Sequence, residues 1–467
     1  MPFIPTRAIR KQNTLMRQGF HVDDTSRVGQ LALTAKHYNW QAQGARELGK
    51  EATAKRFKSQ AKKTRTQFVQ ALKSRRLTRV PVFANEIERV THLAAQQNPK
   101  TGAWADTRAP FWVKVSNTVD IISQLNRAGV QPKYPLRFLD SISTTQGLKK
   151  YLHEILYSYN IGNRKELNVG VTSLPIFYES ARNFHHFAPG WREEFLRFFK
   201  EWQNPKTGAW GTWIKRRGQV VKLDDLSMTF HNVARIKKLG GKISHPRKII
   251  ETIWRMREGE YPYGWKEGGH YSSHHNFDVA RLFSTFYNKM SQTEKERTRK
   301  LFEEFLFFGL KKCMSKNGAM REFGETTQTP SLYGTAFGTL MLSNIGYFRR
   351  KVRENVFGKT KLPPNSFRIY RGKAPLNEFD TTNLVGVSYA TREATLDPLE
   401  ARHNIAQYLA QTREHDPIHR GMIIQSLELD TNPTTQIQKL TPKRLAELRR
   451  QGLTIVPIDK FGGIVKN

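Results

Sequence analysis

The chain has 467 residues and a formal net charge of +37 at pH 7, and this length is enough for two or three domains. Its single cysteine, Cys313, excludes an intrachain disulfide and any metal site built from several cysteines, and we predict no metal. No stretch approaches the roughly 20 apolar residues of a membrane-spanning helix, so we expect a cytoplasmic protein. The excess of lysine and arginine predicts a polyanionic partner, either nucleic acid or an anionic glycan.

Residues 1–80 are more basic than the rest of the chain. Residues 1–22 contain no acid and no apolar core of secretory length. We interpret them as a basic arm, with an organelle transit peptide or a segment for delivery into a host cell as the alternatives. A lysine-rich helical pattern over residues 45–76 predicts one or two solvated helices. We therefore expect residues 1–80 to form a basic helical N-terminal arm.

An octapeptide, Gln-Asn-Pro-Lys-Thr-Gly-Ala-Trp, occurs twice, at residues 97–104 and 203–210. Looser copies at residues 263–265 and 317–320 give a repeat unit of about 54 residues. In each full copy the Asn-Pro pair ends a helix, and the glycine permits a tight reversal of the chain. The pattern predicts helical hairpins, each with a turn between two helices, repeated across residues 81–348.

Amphipathic stretches flank these turns. Apolar residues recur at helical spacing in four of them, at residues 191–202, 226–239, 301–310 and 333–342. Alternating β-branched residues are scarce in this part of the chain. We therefore expect a region that is nearly all α.

The spacing Gln-x4-Gly-x-Trp at such a turn resembles the QW motif of the terpenoid cyclase and protein prenyltransferase superfamily. The resemblance implies an α/α toroid, in which inner and outer rings of helices surround a central cavity. It gives Gln97, Trp104, Gln203 and Trp210 the role of bracing the repeats. The acid motif of the cyclases and the cysteine-containing zinc set of the prenyltransferases are missing here. Toroids also include polysaccharide lyases and glycosidases, because one fold can carry several chemistries.

Polar residues accumulate just after the turns, at residues 224–231 and 270–278. Histidine, aspartate and tyrosine that converge on one cavity can transfer protons. The candidate catalytic residues here are His231, His274 and His275, together with Tyr271. The alternative is structural: Asp225 and Ser273 would cap helices, and His231 and Asn276 would satisfy buried backbone groups.

The remaining sequence differs in composition from the repeats. Residues 349–364, which are basic and end in two prolines, are interpreted as a linker. Residues 365–467 are then expected to form a small α+β domain. Its predicted elements are strands at residues 367–372, 421–429 and 454–458 and a helix at residues 398–409.

The first of these strands ends in Tyr370-Arg371-Gly372, which is similar to the Tyr-Arg-Gly strand of ADP-ribosyltransferase domains. The resemblance implies NAD as the cofactor. Its candidate cofactor-binding residues are Arg371, Gly372, Ser388 and Thr391, and its catalytic candidates are Tyr389 and Glu428. An arginine is suited to this role because its planar fork binds two phosphate oxygens at once.

The leading expectation is an NAD-dependent transferase that adds ADP-ribose to a protein or other macromolecular target, with the basic toroid as its binding platform. One alternative is a non-enzymatic protein that binds nucleic acid or another polyanion. The other is a toroid lyase or hydrolase that acts on an anionic glycan.

Overall fold

The structure is a computed structural model that describes residues 27–73, 86–127, 129–324, 328–348, 366–370, 398–412, 417–427, 436–451 and 454–457. Over these residues the protein is mainly helical, with three small antiparallel sheets. The expected mainly α class is therefore confirmed. The predictions for residues 1–22 and 349–364 lie outside the described residues. Within the described ranges, no helix is both long and apolar enough to cross a membrane.

Two compact units divide the chain, with their boundary between Gly264 and Trp265. The helices described in the first unit are α1 (Arg27–Glu47), α2 (Glu51–Lys73), α3 (Glu86–Ala95), α4 (Phe111–Arg127), α5 (Thr145–Leu156), α6 (Thr172–Ser180), α7 (Trp191–Trp202), α8 (Leu226–Lys238) and α9 (Pro246–Arg255). A π-helical segment, Glu166–Val171, precedes α6, and a hairpin of β1 (Trp213–Arg216) and β2 (Gln219–Lys222) precedes α8.

Helices α1 and α2 pack against each other as a helical hairpin. The lysine-rich pattern over residues 45–76 correctly predicted α2, and its first residues overlap the C-terminal end of α1. The buried residues of α2 recur three, four or seven positions apart and form one face: Ala54, Ala61, Thr64, Phe68 and Leu72. The lysines occupy the opposite, exposed face.

The amphipathic stretches predicted on both sides of the second octapeptide are α7 and α8. Helix α7 buries five aromatic side chains that pack on one another: Trp191, Phe195, Phe198, Phe199 and Trp202. Asp225 is the N-cap of helix α8, and its side chain accepts a hydrogen bond from the Met228 backbone N–H at 2.9 Å. It ends before Gly240, which has a positive φ of 71°.

Both copies of the octapeptide form the same turn. In the first copy the Asn98 N–H donates to the Ala103 carbonyl at 2.9 Å, and the Gly102 N–H donates to the Asn98 carbonyl at 2.8 Å. The equivalent bonds in the second copy, which Asn204 makes with Ala209 and Gly208, measure 2.9 and 2.7 Å. Identical sequences therefore give identical local structures.

The glutamine of each copy joins its turn to a more distant segment. The Gln97 amide donates to the carbonyls of Gly102 and Tyr134, at 2.8 and 2.7 Å. The Gln203 amide donates to the carbonyls of Gly208 and Ser244, at 2.7 and 2.9 Å. The bracing role expected for the glutamine has a direct structural basis in these bonds.

The tryptophans tie the turn to both neighbouring helices. The Trp104 and Trp210 indole N–H groups donate to carbonyls in the preceding helix or at its edge, at 2.6 and 2.8 Å. Their backbone N–H groups donate to the hydroxyls of Thr118 and Thr229, each at 3.1 Å. In the looser copy at residues 317–320 the Met320 N–H makes the same bond to the Thr335 hydroxyl at 2.9 Å.

The second unit is also mainly helical. Its described helices are α10 (Ser273–Phe286), α11 (Gln292–Phe307), α12 (Leu332–Asn344), α13 (Pro398–Gln411), α14 (Pro417–Leu427) and α15 (Pro442–Arg450). Strands β3 (Lys266–Glu267) and β4 (His270–Tyr271) form a short hairpin, and β5 (Ser366–Tyr370) lies between β6 (Gln436–Lys439) and β7 (Thr454–Pro457). The strands predicted at residues 367–372 and 454–458 are confirmed by β5 and β7, and the helix predicted at residues 398–409 by α13.

Two local predictions were wrong. The strand expected at residues 421–429 is helical, because α14 covers it to Leu427. Ile423, Ser426 and Leu427 are buried at helical spacing, and such a short apolar run does not distinguish strand from helix. The cap of α10 is Ser272 rather than Ser273, since the Ser272 hydroxyl accepts from the His275 backbone N–H.

Candidate functional site

The structure describes four of the predicted catalytic residues. His231 lies on α8 in the first unit, and Tyr271 on β4 and His274 and His275 on α10 lie in the second. The NAD-contacting candidates Arg371, Gly372, Ser388 and Thr391 lie outside the described residues, as do Tyr389 and Glu428. NAD binding therefore stays a prediction.

A cationic cluster is formed by Arg164 and Lys165, just before the π-helical segment, and by His231 and Arg235 on α8. The Arg164 guanidinium donates from Nε to Asp225 Oδ2 at 2.6 Å. Asp225 is only 1 % exposed and also caps α8. One carboxylate therefore holds both Arg164 and the helix that carries His231.

Tyr261 supports the other side of Arg164. The guanidinium carbon lies 5.4 Å from the centre of the Tyr261 ring, within the range of a cation–π contact. Lys165, the next residue, places its ammonium 5.4 Å from the ring centre of Trp40. Both cations are thus held against aromatic faces.

Arg235 lies one helical turn after His231 on α8, so the two residues share a helix face. Its guanidinium donates from Nε to the Thr172 carbonyl at 3.0 Å. Burial lowers the pKa of His231 to about 3, and the charges of Arg235, Lys165 and Arg164 act in the same direction. The imidazole is consequently neutral near pH 7, with three cations around it.

Glu166, the first residue of the π-helical segment, has an unusual environment for a carboxyl group. It is buried, and the Tyr151 hydroxyl donates to its Oε1 at 2.5 Å. Burial raises the pKa of Glu166 to about 7, although the hydrogen bonds from Tyr151 and the Trp112 backbone oppose this shift. No motif or spacing in the sequence indicated this residue.

The two histidines of α10 make different contacts. His275 is buried, donates from Nδ1 to the Trp265 carbonyl at 3.1 Å, and places Nε2 3.7 Å from Glu267 Oε2. His274 Nδ1 is 2.8 Å from the Tyr333 hydroxyl, and its ring lies 4.1 Å from that of Phe337. The predicted pair therefore belongs to a wider group of polar and aromatic side chains.

Further ionisable groups join the pair in the second unit. The His419 ring, on α14, lies 5.0 Å from the Tyr333 ring. Burial raises the pKa of Glu322 to about 7; the Glu267 charge raises it further, whereas His419 lowers it. Tyr271, the remaining candidate, pairs with Lys266 in the β3–β4 hairpin. Groups from β3, α10, α12 and α14 thus meet here, which is a composition suited to proton transfer.

Sequence reasoning found His231, His274 and His275 because they follow the repeat turns, but it missed the residues that surround them. Arg164 contacts Asp225 across 61 positions of the chain, so no local spacing reveals the pair. No protein-family model, curated protein or solved structure matches the chain.

Proposed function

We propose that this protein binds a polyanion, and that the cationic cluster captures one of its anionic groups. The observation that carries the proposal is the arrangement of Arg164, Lys165 and Arg235 around the neutral imidazole of His231. Within the cluster Arg164 is paired with Asp225, and Arg235 donates to the Thr172 carbonyl. A carboxylate, sulfate or phosphate brought to this place would offset the repulsion among the three cations.

Binding would also change the protonation of His231. The neighbouring cations contribute to its low pKa, so an anion among them removes part of that effect. The imidazole then gains a proton more readily and becomes an additional donor to the bound group. The net charge of +37 supplies the long-range attraction that brings a polyanion to the cluster.

The α/α toroid remains part of this proposal. It is supported by the two octapeptide turns, which make the same hydrogen bonds and connect amphipathic helices in the same order. In a toroid of this kind, helices that follow the turns carry the residues of the cavity. Helix α8 follows the second turn and carries His231 and Arg235.

The proposal can be tested with a double variant of the cluster, Lys165→Gln with Arg235→Gln. Retention of the full chain on heparin or DNA resin is measured as the salt concentration needed for elution. A matched control, Lys62→Gln with Arg65→Gln, removes two exposed cations from α2. We expect the cluster variant to elute at clearly lower salt than the control, because its cations converge on one group.

Equal elution of the two double variants would mean that the cluster has no special part in binding. Salt-insensitive retention, or no retention of the unaltered protein, would contradict polyanion binding itself. Circular dichroism of each variant separates loss of binding from loss of fold.

A second candidate function is lysis of an anionic glycan, and the neutral state of His231 favours it. A neutral imidazole can remove the proton next to a sugar carboxylate while a cation stabilises the developing charge. The glycosidic C–O bond then breaks, the departing sugar oxygen takes the proton from the imidazolium, and the remaining product contains a C=C bond. Incubation with uronic-acid polysaccharides should give this unsaturated product, and His231→Gln should abolish it. Product formed equally by this variant would exclude His231 as the base.

NAD-dependent ADP-ribosyl transfer is a third proposal, supported by the resemblance of the Tyr-Arg-Gly segment. Strand β5 ends at Tyr370, immediately before Arg371. We expect NAD turnover or self-modification that is lost in Arg371→Ala and kept in Lys373→Ala. No NAD binding at millimolar concentration would dispose of this proposal, and it would leave the cationic cluster unaffected.

A further inference from the structure

The β1–β2 hairpin is anchored in the second repeat and then projects from it. The Asp225 N–H donates to the Trp210 carbonyl at 2.9 Å, and the Leu223 N–H donates to the Thr212 carbonyl at 3.0 Å. The strand register continues from Trp213 opposite Lys222 to the two-residue turn at the tip. Positive φ angles at the tip residues, 50° and 75°, match the tight turn that two-stranded ribbons favour.

The hairpin is an insertion into a connection that the other copies make more briefly. The bond from the tryptophan N–H to the threonine hydroxyl spans 14 residues in the first copy and 19 in the second. The equivalent bond in the looser copy at residues 317–320 spans 15 residues. The ends of the connection are thus the same, and the additional residues allow the second connection to form a ribbon. Insertions into single repeats commonly form binding loops.

The ribbon carries only positive charge. Four of its ten residues are basic, Lys215, Arg216, Arg217 and Lys222, and none is acidic. The three nearest the tip are exposed. Among the ion pairs of the described residues, none involves Arg216 or Arg217. Two guanidinium groups at the end of the projecting hairpin are therefore available to a partner with negative charge.

The shape and the aromatic residues favour duplex over single-stranded nucleic acid. A two-stranded β-ribbon fits the major groove of a duplex, which is about 12 Å wide. Single strands instead need open aromatic faces for stacking. The faces near the ribbon are covered: the Lys222 ammonium lies 4.0 Å from the ring centre of Trp213, and Lys215 lies 4.5 Å from that of Tyr159.

We infer that the β1–β2 hairpin binds double-stranded nucleic acid, with Arg216 and Arg217 against the phosphates that border a groove. The exposed side chains of Val220 and Val221 would then contact apolar groups inside the groove. This inference rests on the proposed function, because it names the polyanion that the chain binds. The two arginines contact only the phosphate backbone, so they position the hairpin without reading the base sequence.

The test is the affinity of the full chain for a fluorescent 20-base-pair duplex, measured by anisotropy from 50 to 300 mM salt. We expect Arg216→Gln with Arg217→Gln to weaken binding roughly tenfold or more at 100 mM salt and to make the salt slope shallower by about 2. Arg216→Lys with Arg217→Lys keeps both charges and should keep most of the slope. The control is again Lys62→Gln with Arg65→Gln, and circular dichroism confirms that each variant is folded.

The outcomes separate this inference from the proposed function. Loss of affinity in the hairpin variant beyond that of the control supports the inference. If only Lys165→Gln with Arg235→Gln weakens duplex binding, the inference is overturned and the proposed function stands. If the unaltered chain is retained on heparin but does not bind the duplex, the inference is likewise overturned and the proposed function stands. Binding to phosphatidylserine vesicles in place of the duplex would also overturn it.

Discussion

The carboxyl group of Glu166 is enclosed by Tyr151, Trp112 and Gly170. A Cβ atom added to Gly170 would lie only 2.8 Å from Glu166 Oε1. Its pKa is raised from the ordinary value of 4.5 to about 7, with burial as the largest cause. The folded state therefore holds this proton more tightly than the unfolded state does. The resulting stabilisation is complete below about pH 4.5 and is lost as the pH rises through about 7.

We therefore predict that Glu166→Gln stabilises the protein at pH 8, by about 1–3 kcal/mol in the free energy of unfolding. The amide has nearly the same shape, accepts from the Tyr151 hydroxyl and carries no charge. The gain should shrink at pH 5, where Glu166 itself is mostly protonated. Urea unfolding at both pH values provides the measurement. Glu154→Gln, at an exposed position of α5, is the control and should have little effect.

An equal effect of Glu166→Gln at pH 5 and pH 8 would show that Glu166 does not titrate between them.

The sequence could identify His231, His274 and His275 as residues of interest, since they follow recurring turns. It could not identify Glu166, whose pKa depends on Tyr151 and Trp112 in other helices. Long-range packing decides the chemistry of a buried acid, and no local pattern records it.

The octapeptide turn depends on a glycine that makes close contact with a neighbouring segment. Gly102 has a φ of 72°, and a Cβ there would lie 1.8 Å from the Pro135 carbonyl oxygen. Gly129 has a similar φ of 68°, but no atom lies within 4 Å of its Cβ position. The two glycines thus share one backbone conformation and differ in the space around them.

We predict that Gly102→Ala destabilises the protein much more than Gly129→Ala. The left-handed conformation costs about 1–2 kcal/mol for alanine at either position. At Gly102 the turn must also move away from Pro135, which disturbs the hydrogen bonds from Gln97. Thermal unfolding of both variants measures the difference. Similar losses would mean that backbone conformation alone requires the glycine.

Secondary structure was predictable where several local signals agreed. Helix α7 has apolar periodicity and an Asn-Pro stop, and the prediction matched its bounds. The segment now seen as α14 has only a short apolar run, which suits a strand equally well, and there the prediction failed. The β1–β2 hairpin was not predicted, although Arg217-Gly218 between short apolar pairs is a recognisable turn signal.

The charge of +37 acts on the molecule as a whole. Like charges repel one another in the folded chain, and a bound polyanion reduces that repulsion. We predict that heparin raises the thermal midpoint of the full chain at 50 mM salt. The increase should disappear at about 0.5 M salt, because screening weakens the attraction and counterion release no longer favours binding.

Differential scanning fluorimetry at the two salt concentrations measures this effect, with neutral dextran as the control polymer. A shift that persists at high salt would indicate binding without a major electrostatic contribution.

At the scale of the whole molecule the sequence predicted the mainly helical class and the repeated turns. The boundary after Gly264 was not anticipated, because it follows from packing and not from a change in composition.

The bond between a tryptophan amide and a threonine hydroxyl has one further consequence, for protein engineering and for evolution. Connections of 14, 15 and 19 residues close the same bond, so the scaffold does not fix the length of chain between its ends. The entropy of loop closure grows slowly with length. A foreign recognition peptide grafted between Trp210 and Asp225 would therefore begin and end on preformed anchors. The three copies that make this bond therefore each offer a graft site.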